Sequence, residues 1–497
     1  MPGIIPRWEW RTFGSRFGLA AARFGALTPG AVQESDETYL VGGTGDNVKI
    51  RADLMDIKVL RETNRDGLER WEPVLKAGFP LPAAEVGGVF ASLRLDTPAL
   101  ARDRYTLEQF LAEVVPAAGG LLAVAVHKRR VRYKVGGCTS EVTDVTVDGR
   151  PTRTIAIESE NPAAVVAAVR SMALDGYRNM NYAVGLRAVL DGEPERFAVI
   201  DAGTNSIKFH VAERLPEHGW KRIVDRAEIT RLGEGLREGG EITPEAQART
   251  VEAIRGMADE ARADGVRGIV AVATAGARMA SNARAVGLAI RDATGIEIQP
   301  IPGDEESRLA FLAVQVGLGL GEEPLVVFDT GGGSTQLTFG HAGHVDERWS
   351  ENVGAVRITE QYGLGGEVSK EILGEALEAI GRELARLDGR PTPHTLVGMG
   401  GAVTNMAAVM LEMKDYDPDR IQGSVIERAE IDRQIELYRT RDADARRGIV
   451  GLQPKRADVI LAGACVVRTI MDRLGCEALS VSDRGLRHGV LVERFGA

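Results

Sequence analysis

The sequence predicts a two-lobed α/β protein from residue 194 onward, preceded by an α+β region of charged strands over 1–193. Three observations carry this. An Asp-x-Gly turn closes a buried apolar run twice. The first is Phe197-Ala198-Val199-Ile200 leading into Asp201-Ala202-Gly203-Thr204-Asn205-Ser206. The second is Leu325-Val326-Val327-Phe328 leading into Asp329-Thr330-Gly331-Gly332-Gly333-Ser334-Thr335. From Arg196 onward strand-like runs alternate with amphipathic segments, the pattern of α/β layering. Before residue 193, short runs alternate charged and apolar residues at period two, as half-exposed strands do.

In the first region the strand-like runs are 48–51, 126–135, 141–147 and 154–160, with helices expected near 105–115 and 162–174. Period two puts Lys128, Arg130, Arg132 and Lys134 on one face of a strand, and Glu158 and Glu160 on one face of another. Asp191-Gly192-Glu193-Pro194 reads as a linker. Beyond it, each Asp turn returns in a second strand, 207–212 and 336–339. Helices are expected over 244–263, 282–294, 305–316, 370–387, 402–411 and 455–474, and strands over 268–273, 297–301 and 394–398. The repeated turn implies two lobes of related architecture, 194–321 and 322–497, divided near Gly321-Glu322-Glu323-Pro324.

At 497 residues the chain has room for several cores, and a hydrophobic content of 44% suits a globular protein. The net charge of −10 argues against general nucleic-acid binding, though it permits a locally basic tunnel. Cys138, Cys465 and Cys476 are too scattered for a disulfide framework or a zinc site, which suits a reducing cytoplasm. The N-terminus lacks a hydrophobic signal core, and no stretch reads as membrane-spanning. His210, His218, His341 and His344 show no metal-ligand partnering in sequence.

The turns carry the chemistry. Two facing hairpins with exposed N–H groups can clamp a chain of phosphates. Hydrolysing a phosphoanhydride requires stabilised charge on the terminal phosphoryl group and an oriented water. Gly203, Thr204, Asn205 and Ser206, with Gly331, Gly332, Gly333, Ser334 and Thr335, are the candidate phosphate donors. Arg278 is the candidate fixed cation, and Glu306 the candidate group to orient or deprotonate the water. Glu305 points about 100° away on the same helix. Asp201 and Asp329 are the candidate Mg²⁺ ligands, since that ion favours carboxylate, phosphate and water oxygens.

Several motifs in order resemble the exopolyphosphatase and guanosine pentaphosphate phosphatase family (Ppx/GppA), within the actin-like (ASKHA, ribonuclease H-like) superfamily. The two Asp turns are similar to its two phosphate loops. Ala273-Thr274-Ala275-Gly276-Ala277-Arg278-Met279-Ala280, Ile301-Pro302-Gly303-Asp304-Glu305-Glu306-Ser307-Arg308, Val397-Gly398-Met399-Gly400-Gly401 and Arg456-Ala457-Asp458 also fit. The resemblance covers almost all of 196–495, and no additional C-terminal hydrolase domain of the HD type is expected after this core. One departure stands out: Gln336 occupies the position where the family has a carboxylate around the metal.

Residues 1–193 resemble the CYTH, or triphosphate-tunnel, fold, which implies a closed antiparallel barrel with basic residues lining a phosphate tunnel and glutamates holding metal. The family's E-x-E-x-K signature falls on Arg7-Trp8-Glu9-Trp10-Arg11, which keeps only the middle glutamate and a basic last position. Lys49, Arg51, Lys128, Arg130, Arg132 and Lys134 are the candidate lining. Glu141, Asp144, Glu158 and Glu160 are the candidate acidic side, the last two as metal ligands. Together the resemblances imply a cytoplasmic, Mg²⁺-dependent exopolyphosphatase acting on inorganic polyphosphate or guanosine pentaphosphate, without nucleic-acid or membrane partners and as a homodimer. Two rivals remain open: a polyphosphate or alarmone sensor weakened by Gln336, and a sugar or acetate kinase of the same superfamily.

Overall fold

In the N-terminal region, strands of alternating polarity close on themselves. The computed structural model describes residues 6–43, 45–217, 219–234, 236, 239–274 and 278–496. Its first eight main strands are β1 (Trp8–Gly14), β2 (Val32–Val41), β3 (Asn47–Arg51), β4 (Leu54–Thr63), β5 (Glu69–Gly78), β6 (Leu122–Val135), β7 (Cys138–Val147) and β8 (Arg150–Ser159). They form a closed antiparallel barrel in the order β1-β8-β7-β6-β2-β3-β4-β5, and Trp8 opposite Arg70 seals the ring. Closure leaves no exposed edge.

Among the described residues of this region four helices of eight residues or more dress the barrel, α1 (Gly18–Gly25), α2 (Ala83–Ser92), α3 (Pro162–Ser171) and α4 (Tyr182–Leu190), and shorter helical turns run through 107–117, near the helix expected over 105–115. Alternation sends Phe13, Tyr39, Val124, Val126 and Val145 inward at one end, where Tyr182 and Leu186 of α4 pack on them. At Gly185 a Cβ would lie 2.3 Å from the Phe13 ring, so α4 plugs that end closely. The barrel is therefore blind at one end and polar toward the other.

The next strands, β9 (Arg196–Ala202), β10 (Ser206–Arg214), β11 (Trp220–Ile229), β12 (Gly268–Ala273) and β13 (Ile298–Pro300), form a sheet ordered β11-β10-β9-β12-β13. A second sheet contains β14 (Leu325–Thr330), β15 (Thr335–His341), β16 (His344–Glu351), β17 (Thr395–Met399), β18 (Val425–Glu427) and β19 (Ala478–Val481), ordered β16-β15-β14-β17-β19-β18. Each sheet sets a three-stranded antiparallel meander beside a parallel strand, β9 with β12 and β14 with β17. The repetition read from the two Asp turns thus extends to the strand order.

Around the sheets lie α5 (Pro244–Ala263), α6 (Ala283–Thr294), α7 (Gly303–Gly317), α8 (Ala355–Tyr362), α9 (Lys370–Glu383), α10 (Gly400–Met410), α11 (Arg428–Arg439), α12 (Ile460–Leu474) and α13 (Leu486–Phe495). α5 begins where Thr243 caps the Ala246 N–H and Pro244 fits the first turn. The helix expected over 455–474 starts only at Ile460, because Pro454–Arg456 forms a separate 3₁₀ turn. The terminal helix α13 crosses back to pack on α7 and on β9 of the first sheet. Among the described residues no helix is long and apolar enough to cross a membrane.

Candidate active site

The two Asp turns have matching local geometry. Gly203 N–H donates to Ser206 O at 3.1 Å, and Gly331 N–H donates to Ser334 O at 2.9 Å. Each aspartate ends its strand opposite the first residues of the return: Asp201 faces Lys208 in register, and Asp329 faces Gln336. In the second turn the carbonyls of Gly331 and Gly332 accept from the N–H groups of Ala355, Val356 and Arg357 at the start of α8. The N–H groups of Gly332 and Gly333 have no protein partner among the described residues. Such a turn presents donors to an anion.

Cations gather at the carboxylates. Lys208 Nζ lies 3.4 Å from Asp201 Oδ2, while the buried Asp201 Oδ1 has no hydrogen-bond partner. Asp329 keeps an accessible edge, but desolvation pushes its carboxyl above the ordinary range against the pull of Lys208 and Arg456. Gly400, at φ +85°, makes room for it: a Cβ there would lie 2.3 Å from Asp329 Oδ1. A Cβ on Gly401 would lie 2.4 Å from Arg456 Nη2. The orphaned Asp201 oxygen and the glycine-walled Asp329 carboxylate are hard-oxygen donors of the kind Mg²⁺ favours.

Beside the second hairpin lies a cavity of about 400 Å³, lined by Arg278, Gly303, Glu306, Ser307, Gln336 and Arg348 among others. Glu306 sits in the first turn of α7. Arg278 Nη1 donates to Ile301 O at 2.7 Å and to Glu306 Oε2 at 3.2 Å. Arg348 Nη1 holds Gly303 O at 2.9 Å and Ser307 Oγ at 3.0 Å, tying β16 to the start of α7. Glu305 turns away to pair with Arg308, which also pairs with Glu493 of α13.

Sequence reading missed Lys208, Arg348 and Arg456 as site residues. Lys208 could have been found as the register equivalent of Gln336 in the repeated hairpin. Thr335 is a correction: its hydroxyl is fully buried and donates to Val353 O at 2.6 Å, which takes it out of the phosphate-facing set. Residues 275–277 of the Arg278 motif, and His218, lie outside the described residues.

A profile of the Ppx/GppA phosphatase family matches residues 211–496. The chain belongs to the Ppx/GppA phosphatase family. Exopolyphosphatase 2 of Mycobacterium tuberculosis is 30% identical over 327 residues, which span 61% of this chain and 99% of that protein. A bifunctional 3-dehydroquinate synthase/phosphatase of Fusobacterium nucleatum is 30% identical over 308 residues, 60% of this chain and 46% of that protein. The crystal structure of the Aquifex aeolicus Ppx/GppA phosphatase, type II variant, superposes with a TM-score of 0.57 at 29% identity, covering 61% of this chain and 99% of that one. The actin-like two-lobe architecture follows for the C-terminal part, and the closed eight-stranded barrel fits the triphosphate-tunnel architecture expected before it.

The barrel of this Ppx/GppA chain holds a second polar cavity, of about 250 Å³. Lys49, Arg51, Lys128, Arg130 and Arg132 line it, together with Arg11, Lys58, Tyr39 and Tyr182. At its floor Glu37 accepts from Lys128 Nζ at 2.8 Å and Lys49 Nζ at 3.2 Å. Burial alone would raise the Glu37 carboxyl, but the two lysines hold it at about 2. Lys128 also donates to Tyr39 OH at 2.5 Å, and burial brings its ammonium down to about 7.

Three expected tunnel residues lie elsewhere. Lys134 bonds Thr139 on an exposed hairpin, because β2 pairs with β6 only as far as Val131 and the hairpin overruns the ring. Asp144 is an odd number of residues from Glu141, so it faces outward, and it pairs with Arg153 at 2.7 Å. Glu160 is exposed just past the end of β8, whereas Glu158 lines the cavity and pairs with Arg7 at 3.0 Å.

His210 does meet possible ligands in space. His210, Asp225 and His488 bring their donor atoms within 4.8 Å of one another. Arg487, however, donates to both Asp225 oxygens at 2.8 and 2.9 Å. The Gly485 N–H donates to His488 Nδ1 at 3.2 Å, which leaves the proton on the Nε2 that faces Asp225. Burial holds His210 at about 3 and His488 at about 4. The Arg487–Asp225 pair, together with these two histidines, ties the first sheet to α13. A further groove, of about 750 Å³ between α9, α11 and α12, lies apart from both loops.

Proposed function

We propose that this chain is a cytoplasmic exopolyphosphatase that removes terminal orthophosphate from inorganic polyphosphate. Guanosine pentaphosphate, which presents the same terminal phosphoryl group, is the alternative substrate. The observation that carries this reading is the meeting of Arg278, Glu306 and Gln336 in one cavity beside the second Asp turn. The units are the barrel over 1–193 and lobes over 194–321 and 322–497. Gly203, Thr204, Asn205, Ser206, Gly331, Gly332, Gly333 and Ser334 bind phosphate oxygens, aided by Lys208, Arg278 and Arg456. Glu306 orients the attacking water and takes its proton. Asp201 and Asp329 would hold Mg²⁺, which when bound neutralises charge on the phosphates. Three buried free cysteines suit a reducing compartment. Light scattering tests the homodimer.

The barrel captures the substrate chain and raises its concentration near the cleft. The deciding experiment is phosphate release from long-chain polyphosphate with Mg²⁺. Glu306→Ala is expected to lower the rate by about 100-fold or more. Release that survives the substitution moves catalysis out of this cleft. A second reading, a polyphosphate or alarmone sensor, rests on Gln336, which cannot supply the negative charge of a carboxylate. Binding without any phosphate release from the wild type supports that reading instead.

A further inference from the structure

The triphosphate-tunnel resemblance implies glutamates that hold a metal ion, and the residues of this barrel do not fit one. Of the carboxylates lining the cavity, Glu9 accepts from Arg11 Nε at 2.7 Å. Glu141 accepts from Arg11 Nη2 at 3.0 Å and lies 2.9 Å from Arg130 Nε. Glu158 is taken by Arg7 at 3.0 Å, and Glu37 beneath them by Lys128 and Lys49. Asp56 remains, set opposite Lys49 in register. Among the described residues no three carboxylate or imidazole donors converge in the barrel. A divalent ion held by Glu9, Glu141 and Glu158 would have to displace guanidinium groups from all three, and arginine does not give up its charge.

The same residues suit an anion. Along β6 the inward positions run Val124, Val126, Lys128, Arg130 and Arg132, grading from the α4 plug to an exposed mouth. Lys58 and Arg132 at that mouth are exposed and have no ion-pair partner among the described residues. Deeper in, the Tyr182 hydroxyl lines the cavity on a side chain only 5% exposed and has no hydrogen-bond partner. An unpaired buried hydroxyl is costly unless a ligand satisfies it.

We propose that the barrel is a blind-ended, metal-independent receptor for the end of a linear polyphosphate, in which Arg7 and Arg11 take the place of a bound metal and no hydrolysis occurs. It rests on the polyphosphate reading above and adds that capture and cleavage have different metal requirements. Arginine and lysine donors bind phosphate oxygens directly, in charge-assisted hydrogen bonds.

The test uses the full-length chain carrying Glu306→Ala, with long-chain polyphosphate titrated calorimetrically in excess EDTA. Binding is expected to persist, and adding Lys58→Glu with Arg132→Glu is expected to weaken it by about tenfold or more. Arg7→Glu, which frees Glu158 and adds a carboxylate beside it, is expected to make binding respond to Mg²⁺, while Arg7→Gln does not. Binding lost in EDTA and restored by Mg²⁺ would overturn the proposal. So would mouth variants that bind like the parent, or phosphate release by the Glu306→Ala chain that the mouth substitutions abolish. Wild-type protein that releases no phosphate, yet shows EDTA-resistant binding sensitive to the mouth substitutions, supports the receptor and sinks the enzymatic reading.

Discussion

Gln336 stands across from Asp329 just as Lys208 stands across from Asp201, so the repeated hairpin carries an amide in one lobe and an ammonium in the other. Gln336→Glu adds a charge beside the expected metal without changing size. We expect it to lower the Mg²⁺ concentration giving half-maximal phosphate release, with a smaller effect on the rate at saturating Mg²⁺; unchanged Mg²⁺ titrations would remove Gln336 from the metal's surroundings. Gly400→Ala tests the opposite wall. Its positive φ costs an alanine about 1–2 kcal/mol, and the new Cβ would press on Asp329. Reduced stability in urea together with reduced activity is expected. Lys128 gives a pH test. As a base whose folded value of about 7 lies below the ordinary lysine range, it binds fewer protons folded than unfolded between those limits. Its penalty is full below pH 7 and is relieved as pH rises toward the lysine range. The stability of the wild type relative to Lys128→Met should therefore grow between pH 7 and 10 in urea unfolding, and a flat difference would contradict it.

At the scale of elements, the sequence showed most where burial leaves one pattern. The α5 helix and the β12 strand fall where periodicity put them, because a proline-and-threonine start and a continuous apolar run admit few alternatives. The meander strands β11 and β16 went unseen, since both are edge strands carrying charge on both faces. The α13 helix was also missed. Its pattern is interrupted by Gly489, whose value appears only in space: a Cβ there would lie 1.9 Å from Leu309 O of α7. That contact positions the helix bearing Glu306. Site residues were legible where a motif repeats, as with the two Asp turns. Lys208 was legible only through that repeat, at the same offset from Asp201 as Gln336 from Asp329, and Arg348 was illegible because its role comes from the approach of another element. Gly489→Ala should cost about 1–3 kcal/mol by overpacking and should lower the rate of phosphate release, because α7 must move. A loss of stability with full activity in the folded fraction would separate α13 from the site.

At the scale of the whole molecule, the barrel is not a bead on a string. Trp10, Phe17 and Phe24 share one buried cluster with Phe197, Val199 and Val270 of the first sheet and with Val490 and Phe495 of α13. Phe197 stacks on Phe495 with ring centroids 4.4 Å apart, and Tyr177 meets Phe495 at 5.0 Å and Phe17 at 5.5 Å. At Gly18, a Cβ would lie 2.6 Å from Arg494 O, so α1 meets the end of α13 almost backbone to backbone. Cutting the chain at 193 would strip aromatic cover from the first lobe, which makes point substitutions the sounder probe of the barrel. A shared core also makes the two parts unfold together. Phe495→Ala, which removes a fully buried ring where the parts join, should cost about 3–5 kcal/mol. Its thermal transition should stay single while shifting down. Loss of polyphosphate binding in EDTA and loss of phosphate release should follow the same temperature. If binding outlasts release by several degrees, the barrel folds by itself and the common core does not couple the two sites.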